Sequence, residues 1–151
     1  MKTDELVFLD TNVLAYAIDS ESGFHKKAKA VVDAVDEEKI KGCFSPQVMG
    51  ELYATVTNPK RVKNVLTPRE AAAIILDFLE AGTFIKIHPK ESTIKLAVEL
   101  ARNLGLRRGD FFDAQIAATM MENGVKKIYT FNEKHFKQFQ FLDVINPYGK
   151  T

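Results

Sequence analysis

Apolar positions along this chain occur in two patterns, as short continuous runs and as longer stretches with helical spacing. The continuous runs predict buried strands over residues 6–10, 42–45, 84–87, 128–130 and 144–145. The helical spacing predicts helices over residues 24–40, 46–58, 67–82, 92–104 and 111–123, and a further helix directly after residue 10. Strands that alternate with helices in this way predict an α/β fold, a three-layer α/β/α sandwich in which helices cover both faces of a mainly parallel sheet.

Local signals support several of these boundaries. Pro46 stands at the start of its helix, where the missing N–H costs nothing, and Ser22 can cap the helix that follows it. Thr67 and Glu70 have the spacing of a capping box, in which each side chain bonds the other residue's backbone N–H. With 151 residues and no repeat, low-complexity segment or linker, the sequence predicts one domain over residues 1–151.

Composition excludes several classes of protein. The 21 basic and 20 acidic residues leave a formal net charge of +1, so any nucleic-acid binding must depend on local basic clusters and bound cations. Cys43 is the only cysteine, which excludes an internal disulfide and a multi-cysteine zinc site and fits a reducing cytosol. No apolar run approaches the roughly 20 residues of a membrane span, and residues 1–5 have no signal-peptide pattern. We therefore expect a cytoplasmic protein with no membrane association.

Asp10 ends the first predicted strand, directly after four apolar residues. Ligands of open α/β sheets bind in the crevice beyond the carboxyl ends of the strands. A charge at the edge of an apolar core is costly unless it is paired or binds a metal. Asp10 is therefore the first candidate for a functional residue.

Further acidic residues lie among apolar neighbours on predicted helices. Glu51 borders the apolar stripe of its helix, either as a ligand at the sheet edge or as a boundary glutamate that reaches water. Asp113 lies in a helix whose small residues suggest tight burial against the sheet, where a carboxylate needs a cation. Asp110 shares its face three residues earlier, and an acid in that first turn most simply stabilises the helix dipole.

Polar residues also follow the strand at 128–130. Thr130 and Asn132 lie at its carboxyl end, either as ligands or as caps of an ordinary strand-to-helix turn. Oxygen donors in a chain with one cysteine and three histidines suit Mg²⁺ or Mn²⁺ rather than zinc. Such a site best supports metal-assisted phosphodiester hydrolysis. A metal-activated water needs no histidine base, so we interpret the histidines as surface or strand-end residues, namely His25, His88 and His135.

The chain resembles PIN-domain ribonucleases, and most closely the VapC-like toxins of type II toxin–antitoxin pairs. The matching segments, in chain order, are VFLDTNVL, the glutamate of SPQVMGELYATV, GDFFDAQIAATMMENGV, and IYTFNEKHF followed by a terminal NP. Length, order and spacing agree from the first strand to Pro147. The resemblance implies a metal-dependent endoribonuclease that cleaves RNA.

The resemblance also assigns site residues. It implies that the catalytic, metal-binding carboxylates are Asp10, Glu51 and Asp113. It further implies that the site is supported by polar neighbours, of which Asn12 shapes the first loop; these are Thr11, Asn12 and Thr130.

The chain departs from the family at Asn132, where many members have an aspartate. We therefore expect one firm Mg²⁺ or Mn²⁺ site and a second ion bound only together with substrate. Asp110 can supply the missing carboxylate because it shares a helix face with Asp113. That hypothesis fails if Asp110→Asn leaves metal-dependent cleavage unchanged.

Basic residues near the site are candidates for binding the RNA backbone, with a solvated loop as the alternative. They are Arg107 and Arg108 before the acidic helix, and Lys60, Arg61 and Lys63 after the helix at 46–58. The resemblance implies a homodimer and a cognate antitoxin that covers or inserts into the acidic groove. Apolar residues of the helix at 67–82 and the pair Phe111 and Phe112 either offer surface for these contacts or belong to the core.

Other functions stay open on the sequence alone. A housekeeping PIN nuclease for rRNA or tRNA maturation has the same motifs, and a small antitoxin gene immediately upstream would exclude it. A phosphatase of the haloacid dehalogenase type also begins with a strand that ends in aspartate, but it needs a second aspartate where this chain has Asn12. A degenerate PIN fold used as a binding module is disfavoured by intact acidic residues at positions 10, 51 and 113.

Overall fold

The computed structural model describes residues 5–147, so residues 1–4 and 148–151 of the predicted domain lie outside the described part. The strands are β1 (Leu6–Leu9), β2 (Lys41–Phe44), β3 (Phe84–Lys86), β4 (Lys127–Tyr129) and β5 (Asp143–Ile145). The helices are α1 (Thr11–Ile18), α2 (His25–Asp36), α3 (Pro46–Val56), α4 (Pro68–Glu80), α5 (Glu91–Leu104), α6 (Phe111–Glu122) and α7 (Glu133–Lys137), with a short 3-10 helix at Arg108–Asp110.

The strands form one parallel sheet in the order β3-β2-β1-β4-β5. Right-handed crossovers place α1 to α4 on one face and α5 to α7 on the other. The helix contacts agree, because α3 contacts α1 and α4, whereas α6 contacts α5 and α7. This arrangement confirms the three-layer α/β/α prediction. None of the helices in the described part of the chain is long and apolar enough to cross a membrane.

β1 and β4 are neighbours in the sheet, but the strands that follow β1 lie toward one edge of the sheet and the strand that follows β4 lies toward the other edge. The helix after β1 leaves toward one face, and the helix after β4 leaves toward the other. A crevice therefore opens at the carboxyl ends of these two strands, where open α/β sheets bind their ligands. Asp10 follows β1 and Thr130 follows β4, so both residues lie at this crevice.

The core is built around the central strand, where Phe8 and Leu9 have no exposed surface. On the neighbouring strand, Gly42 lies so close to α2 that an added Cβ would come within 2.7 Å of a methyl carbon of Val35. Cys43 is fully buried in the same core, as expected for a small apolar residue. The close approach at Gly42 explains why a glycine stands inside a strand.

The observed helix boundaries confirm one of the predicted caps and differ from the prediction at both ends of α2. The capping box of α4 is confirmed, with Thr67 accepting from the Glu70 N–H at 3.1 Å and Glu70 accepting from the Thr67 N–H at 2.9 Å. Helix α2 ends at Asp36 instead of residue 40, because Glu38 adopts a left-handed φ of 59°. Ser22 does not cap α2 and instead accepts a bond from the Phe24 N–H in the preceding turn.

Candidate functional site

A cavity of about 330 Å³ opens at the crevice beside β1. Three carboxylates from distant parts of the sequence line it together, those of Asp10, Glu51 and Asp113. Its remaining lining residues are Thr11, Asn12, Ala15, Tyr16, Ala54, Thr55, Arg61 and Asn132. The cavity therefore collects most of the residues that the sequence singles out.

Asp10 is 7% exposed and caps the first helix of the chain. One of its carboxylate oxygens accepts from the Thr11 N–H at 2.8 Å, and the other accepts from the Thr130 hydroxyl at 2.8 Å. The first bond holds the side chain at the N-terminus of α1, where the helix dipole favours a negative charge. The second bond ties the end of β1 to the end of β4.

Thr130 has no exposed surface and uses its full hydrogen-bonding capacity. Its hydroxyl donates to Asp10 and accepts from the Asn132 backbone N–H at 2.9 Å and from Asn12 Nδ2 at 3.4 Å. Asn12 also accepts from the Phe131 N–H at 3.1 Å. Together these bonds fix the loop after β4 against the start of α1.

Glu51 lies on α3 and reaches the cavity from the second crossover. Thr11 donates its hydroxyl to one carboxylate oxygen at 2.8 Å, and Gln47 Nε2 donates to the other at 2.8 Å. Gln47 Nε2 also lies 3.3 Å from the Phe112 carbonyl oxygen, which links α3 to α6. The glutamate is therefore oriented by residues from two helices, which favours the site interpretation over a solvated boundary residue.

Asp113 lies in the first turn of α6 and pairs with His135 of α7 at 3.1 Å. In the described part of the chain, one group of three possible metal ligands has donor atoms all within 4.8 Å of one another, and it consists of Asp110, Asp113 and His135. Asp110 is exposed and stands beside Asp113 without lining the cavity.

Two of the carboxyl groups hold their protons more tightly than usual. Burial raises the pKa of Asp10 to about 6, against the hydrogen bonds from Thr130 and Thr11, and the charges of Glu51 and Asp113 add to the rise. Burial likewise raises the pKa of Asp113 to about 6, opposed by His135 and reinforced by Asp110 and Glu51. Three carboxylates thus repel one another in a partly dehydrated cavity.

This donor set fits a hard divalent cation. The cavity lining includes three carboxylates and two side-chain amides, and Mg²⁺ and Mn²⁺ prefer such oxygen donors. A bound cation would also offset the burial and the mutual repulsion that raise the pKa values of Asp10 and Asp113. Asp10, Glu51 and Asp113 line the cavity and are the candidates to hold it, with Asn132 as a neutral fourth donor. These three acids are spaced more widely than Asp110, Asp113 and His135, so their side chains would have to close around a shared ion.

The basic candidates are distributed unevenly around the site. Arg61 is the cationic residue among the described residues that line the cavity. Lys60, Lys63, Arg107 and Arg108 are exposed and do not line it. Arg108 is the first residue of the 3-10 helix that precedes α6, and it adopts a left-handed φ of 54°, a conformation that costs a non-glycine residue energy.

Two residues near the carboxylates were not recognised in the sequence. Gln47 precedes Glu51 by four positions, a helical spacing that could have indicated the contact. The sequence predicts a surface or strand-end histidine at position 135, and His135 is exposed, yet its ring nitrogen contacts Asp113. No local pattern indicated that contact, because it joins residues 22 positions apart on two helices.

Known proteins share both the sequence pattern and the fold. A family model, the PIN domain, matches residues 7–142. Ribonuclease VapC24 from Mycobacterium tuberculosis is 29% identical over 143 residues, which cover 94% of this chain and 97% of that protein. The similarity therefore extends over nearly the whole length of both sequences.

Solved structures show the same architecture at lower identity. VapC20 from Mycobacterium tuberculosis, a sarcin–ricin loop cleaving toxin, matches with a TM-score of 0.69 and 19% identity over 88% of this chain and 95% of its own. A toxin–antitoxin complex from Klebsiella pneumoniae contains a chain that matches with a TM-score of 0.61 and 19% identity over 94% of this chain and 98% of its own. At these identities the structural matches establish the fold.

Proposed function

This chain belongs to the PIN domain family, and from that premise we propose that it is a metal-dependent endoribonuclease, the toxin of a toxin–antitoxin pair. The observation that carries the proposal is the meeting of Asp10, Glu51 and Asp113 in one cavity at the reversal point of the sheet. The ribonuclease activity named for VapC24 over nearly the same length supports the choice of RNA as substrate.

The protein's own residues prepare the cavity for phosphodiester hydrolysis. Thr130 and Thr11 hold Asp10, and Thr11 also holds Glu51, so one residue aligns two of the three acids. When bound by these carboxylates, Mg²⁺ or Mn²⁺ orients and acidifies water and offsets the charge that develops as the bond breaks. Arg61 places a positive charge at the cavity wall, where it can bind the RNA phosphate.

Asn132 affects how many metal ions the cavity can bind, because it is neutral. Its side chain is neutral and lines the cavity at the position where many PIN proteins have an aspartate. We propose that one ion binds to the free protein and that a second binds only with the substrate's phosphate. Asp110, which stands beside Asp113 and His135, is the carboxylate that can compensate. Unchanged metal-dependent cleavage in Asp110→Asn would remove it from the site.

The direct test is cleavage of RNA by the purified protein. With Mg²⁺ or Mn²⁺ we expect cleavage by the wild type, no cleavage in EDTA, and at least about a hundredfold loss in Glu51→Gln. The loss is expected because Thr11 and Gln47 hold both oxygens of that carboxylate in place at the cavity. Glu99→Gln, which replaces an exposed glutamate on α5, is the matched control and keeps wild-type activity. Cleavage that persists in EDTA would refute the metal-dependent mechanism.

The toxin role has its own test in cells. Expression of the wild type in a bacterial host is expected to arrest growth, and Asp113→Asn is expected to be harmless. If a small protein is encoded immediately upstream, its co-expression should restore growth when it is the cognate antitoxin. Normal growth during expression of an active nuclease would favour a housekeeping role in RNA maturation.

The exposed apolar residues on the outer helices support a homodimer. Leu76 and Leu79 on α4 are 54% and 41% exposed, and Val98 on α5 is 52% exposed. Helices α4 and α5 cover opposite faces of the sheet, and an exposed apolar patch on either face can mark a protein interface. We expect sedimentation equilibrium to give twice the mass of one chain for the wild type. Leu76→Glu or Val98→Glu should give the mass of a monomer, and the variant that does so identifies the helix that forms the interface. A monomeric wild type would refute the dimer.

A further inference from the structure

A buried carboxylate joins the end of the first helix to the loop that carries Arg61. Asp19 directly follows α1 and is 2% exposed. One of its carboxylate oxygens accepts from the Lys63 N–H at 2.9 Å, and the other accepts from the Asn64 N–H at 3.1 Å and from the Glu21 N–H at 3.2 Å. Both oxygens of this acid therefore hold backbone groups, and such hydrogen bonds stabilise a charge that is removed from water.

The loop between α3 and α4 spans residues 57–67 and is here called the Arg61 loop. Within it, the Arg61 N–H donates to the Asn58 carbonyl oxygen at 2.9 Å, and the side chain of Val62 is buried. The turn at 58–62 is thus closed by its own bonds, whereas Asp19 ties the next two residues, 63 and 64, to the end of α1. The position of the turn relative to α1 consequently depends on Asp19 together with the buried Val62.

Helix α1 connects this anchor to the acidic cavity. Residues along one side of the helix line the cavity, namely Thr11, Asn12, Ala15 and Tyr16. Asp10 caps the N-terminus of the helix, and Asp19 follows its C-terminus, roughly 12 Å farther along the axis. One rigid element therefore holds a cavity carboxylate at one end and the Arg61 loop at the other.

The side chain of Arg61 is available to a ligand. It lines the cavity together with three carboxylates, and within residues 5–147 no hydrogen bond or ion pair engages its guanidinium group. A guanidinium binds a phosphate best through two parallel N–H···O bonds, which require a defined place and angle. Because the arginine side chain is long and flexible, a fixed backbone reduces the entropy that is lost when this contact forms.

We propose that Asp19 is a positioning residue that holds Arg61 at the cavity, where Arg61 binds a phosphate of the RNA. This inference rests on the proposed ribonuclease function and adds to it a residue outside the cavity that determines substrate affinity. Asparagine cannot replace Asp19 fully, because its amide nitrogen is a donor and leaves a backbone N–H such as that of Lys63 without an acceptor. Asp19→Asn should therefore loosen the Arg61 loop and weaken RNA binding.

Simple electrostatics predicts the opposite sign. Asp19→Asn removes one negative charge, and this loss by itself favours the binding of a polyanion. Weaker binding by the folded variant would thus report displacement of the Arg61 loop and not the change in net charge. The matched control is Glu21→Gln, which removes the same charge from an exposed side chain in the same turn and keeps the three backbone bonds.

The experiment measures the binding of a short single-stranded oligoribonucleotide of mixed sequence by anisotropy, at constant Mg²⁺ and in an Asp113→Asn background that prevents cleavage. We expect Arg61→Gln to raise Kd about tenfold and to reduce its salt dependence, because one phosphate contact is lost. Asp19→Asn should raise Kd about fivefold and reduce the salt dependence likewise. In the Arg61→Gln background it should add less than about twofold, because the two residues act through one contact. Glu21→Gln should bind at least as tightly as its parent.

Kinetics of the cleaving protein provide a second readout. Asp19→Asn should raise KM about fivefold and keep kcat within about twofold, because the cavity carboxylates stay in place. If urea unfolding shows that this variant does not fold, Asn58→Ala replaces it in both measurements. The Asn58 side-chain oxygen accepts from the Lys60 N–H at 2.9 Å in the exposed turn, so its loss loosens the same loop and should raise Kd about threefold.

The outcomes distinguish this inference from the proposed function. An unchanged Kd in Arg61→Gln, or in the loop variant, would overturn the positioning role and leave a protein that cleaves RNA as a nuclease. Fully additive effects of Asp19→Asn and Arg61→Gln would also overturn it. The expected binding pattern in a protein whose wild type cleaves no RNA would support the positioning role and refute the nuclease. Absence of RNA binding would overturn the positioning role.

Discussion

Thr130 connects more of the site than any charged residue. Its hydroxyl donates to Asp10 and accepts from the backbone of Asn132 and the side chain of Asn12, all without contact with solvent. A valine has the same shape but satisfies none of these partners. A buried donor or acceptor that loses its partner costs about 1 to 3 kcal/mol.

We therefore expect Thr130→Val to lower the free energy of unfolding by about 2 kcal/mol and to reduce kcat, because Asp10 loses one of the two bonds that orient it. Thr119→Val is the matched control. Thr119 is also buried, but its hydroxyl makes one bond to the Gln115 carbonyl oxygen within α6. Urea unfolding and RNA cleavage measure both variants, and equal effects would contradict the assigned role of Thr130.

The raised pKa of Asp10 predicts how stability depends on pH when no metal is bound. The folded protein holds this proton with a pKa of about 6, whereas an unfolded chain has a value of about 3.9. The folded state thus binds more protons between these values, so the free energy of unfolding falls as the pH rises from about 4 to about 6.

Asp10→Asn should remove that part of the pH dependence, which amounts to about 2 to 3 kcal/mol. The measurement is urea unfolding of the wild type and the variant in EDTA between pH 4 and pH 8. We expect the two curves to diverge below pH 6 and to run parallel above pH 7. Parallel curves over the whole range would show that burial does not raise this pKa.

At the scale of elements, the carboxyl ends of the strands hold the polar residues of the site in place. The close packing of α2 on β2 in turn holds the strands in place. Gly42 has space for no side chain, because Val35 of α2 and Leu9 of β1 occupy it. Gly50, by contrast, is exposed inside α3 with no atom within 4 Å of an added Cβ. Gly42 is required by close packing and Gly50 is not, although both lie inside regular elements.

Gly42→Ala is expected to lower the free energy of unfolding by about 1 to 3 kcal/mol, since the buried Val35 must move. Gly50→Ala should raise it by about 0.5 to 1 kcal/mol, because alanine favours an exposed helix. Chemical unfolding of both variants tests the pair. Two variants that change stability in the same direction would contradict this packing analysis.

At the scale of the whole molecule, the cavity depends on the order of the strands. β1 and β4 are far apart in sequence but adjacent in the sheet, and their following helices leave toward opposite faces. Asp10, Glu51 and Asp113 consequently approach from three different elements. Any ion that binds them holds these elements together and must stabilise the folded state.

Mg²⁺ at ten times its dissociation constant should therefore stabilise the protein by about 1.4 kcal/mol at neutral pH. For a chain of this length, that corresponds to a rise in Tm of about 3 to 6 °C. Asp113→Asn should lose the rise, whereas Asp143→Asn, which replaces an exposed aspartate on β5, should keep it. An equal rise in both variants would place the ion elsewhere.

The sequence determined the strands and most of the helices, and it singled out the three acids that line the cavity. Its apolar runs and helical spacing follow from local burial, and the acids stood out because each has apolar neighbours. Signals that act within a few residues, such as the capping box of α4, were also readable.

Only the tertiary structure decided which polar groups meet. The Thr11 contact with Glu51, the His135 contact with Asp113 and the Thr130 contact with Asp10 join residues 40, 22 and 120 positions apart. Such contacts depend on strand order and on the directions of the helices, which no local pattern specifies. The sequence also does not indicate that α2 ends at Asp36, because Glu38 takes its left-handed conformation from the turn that leads into β2.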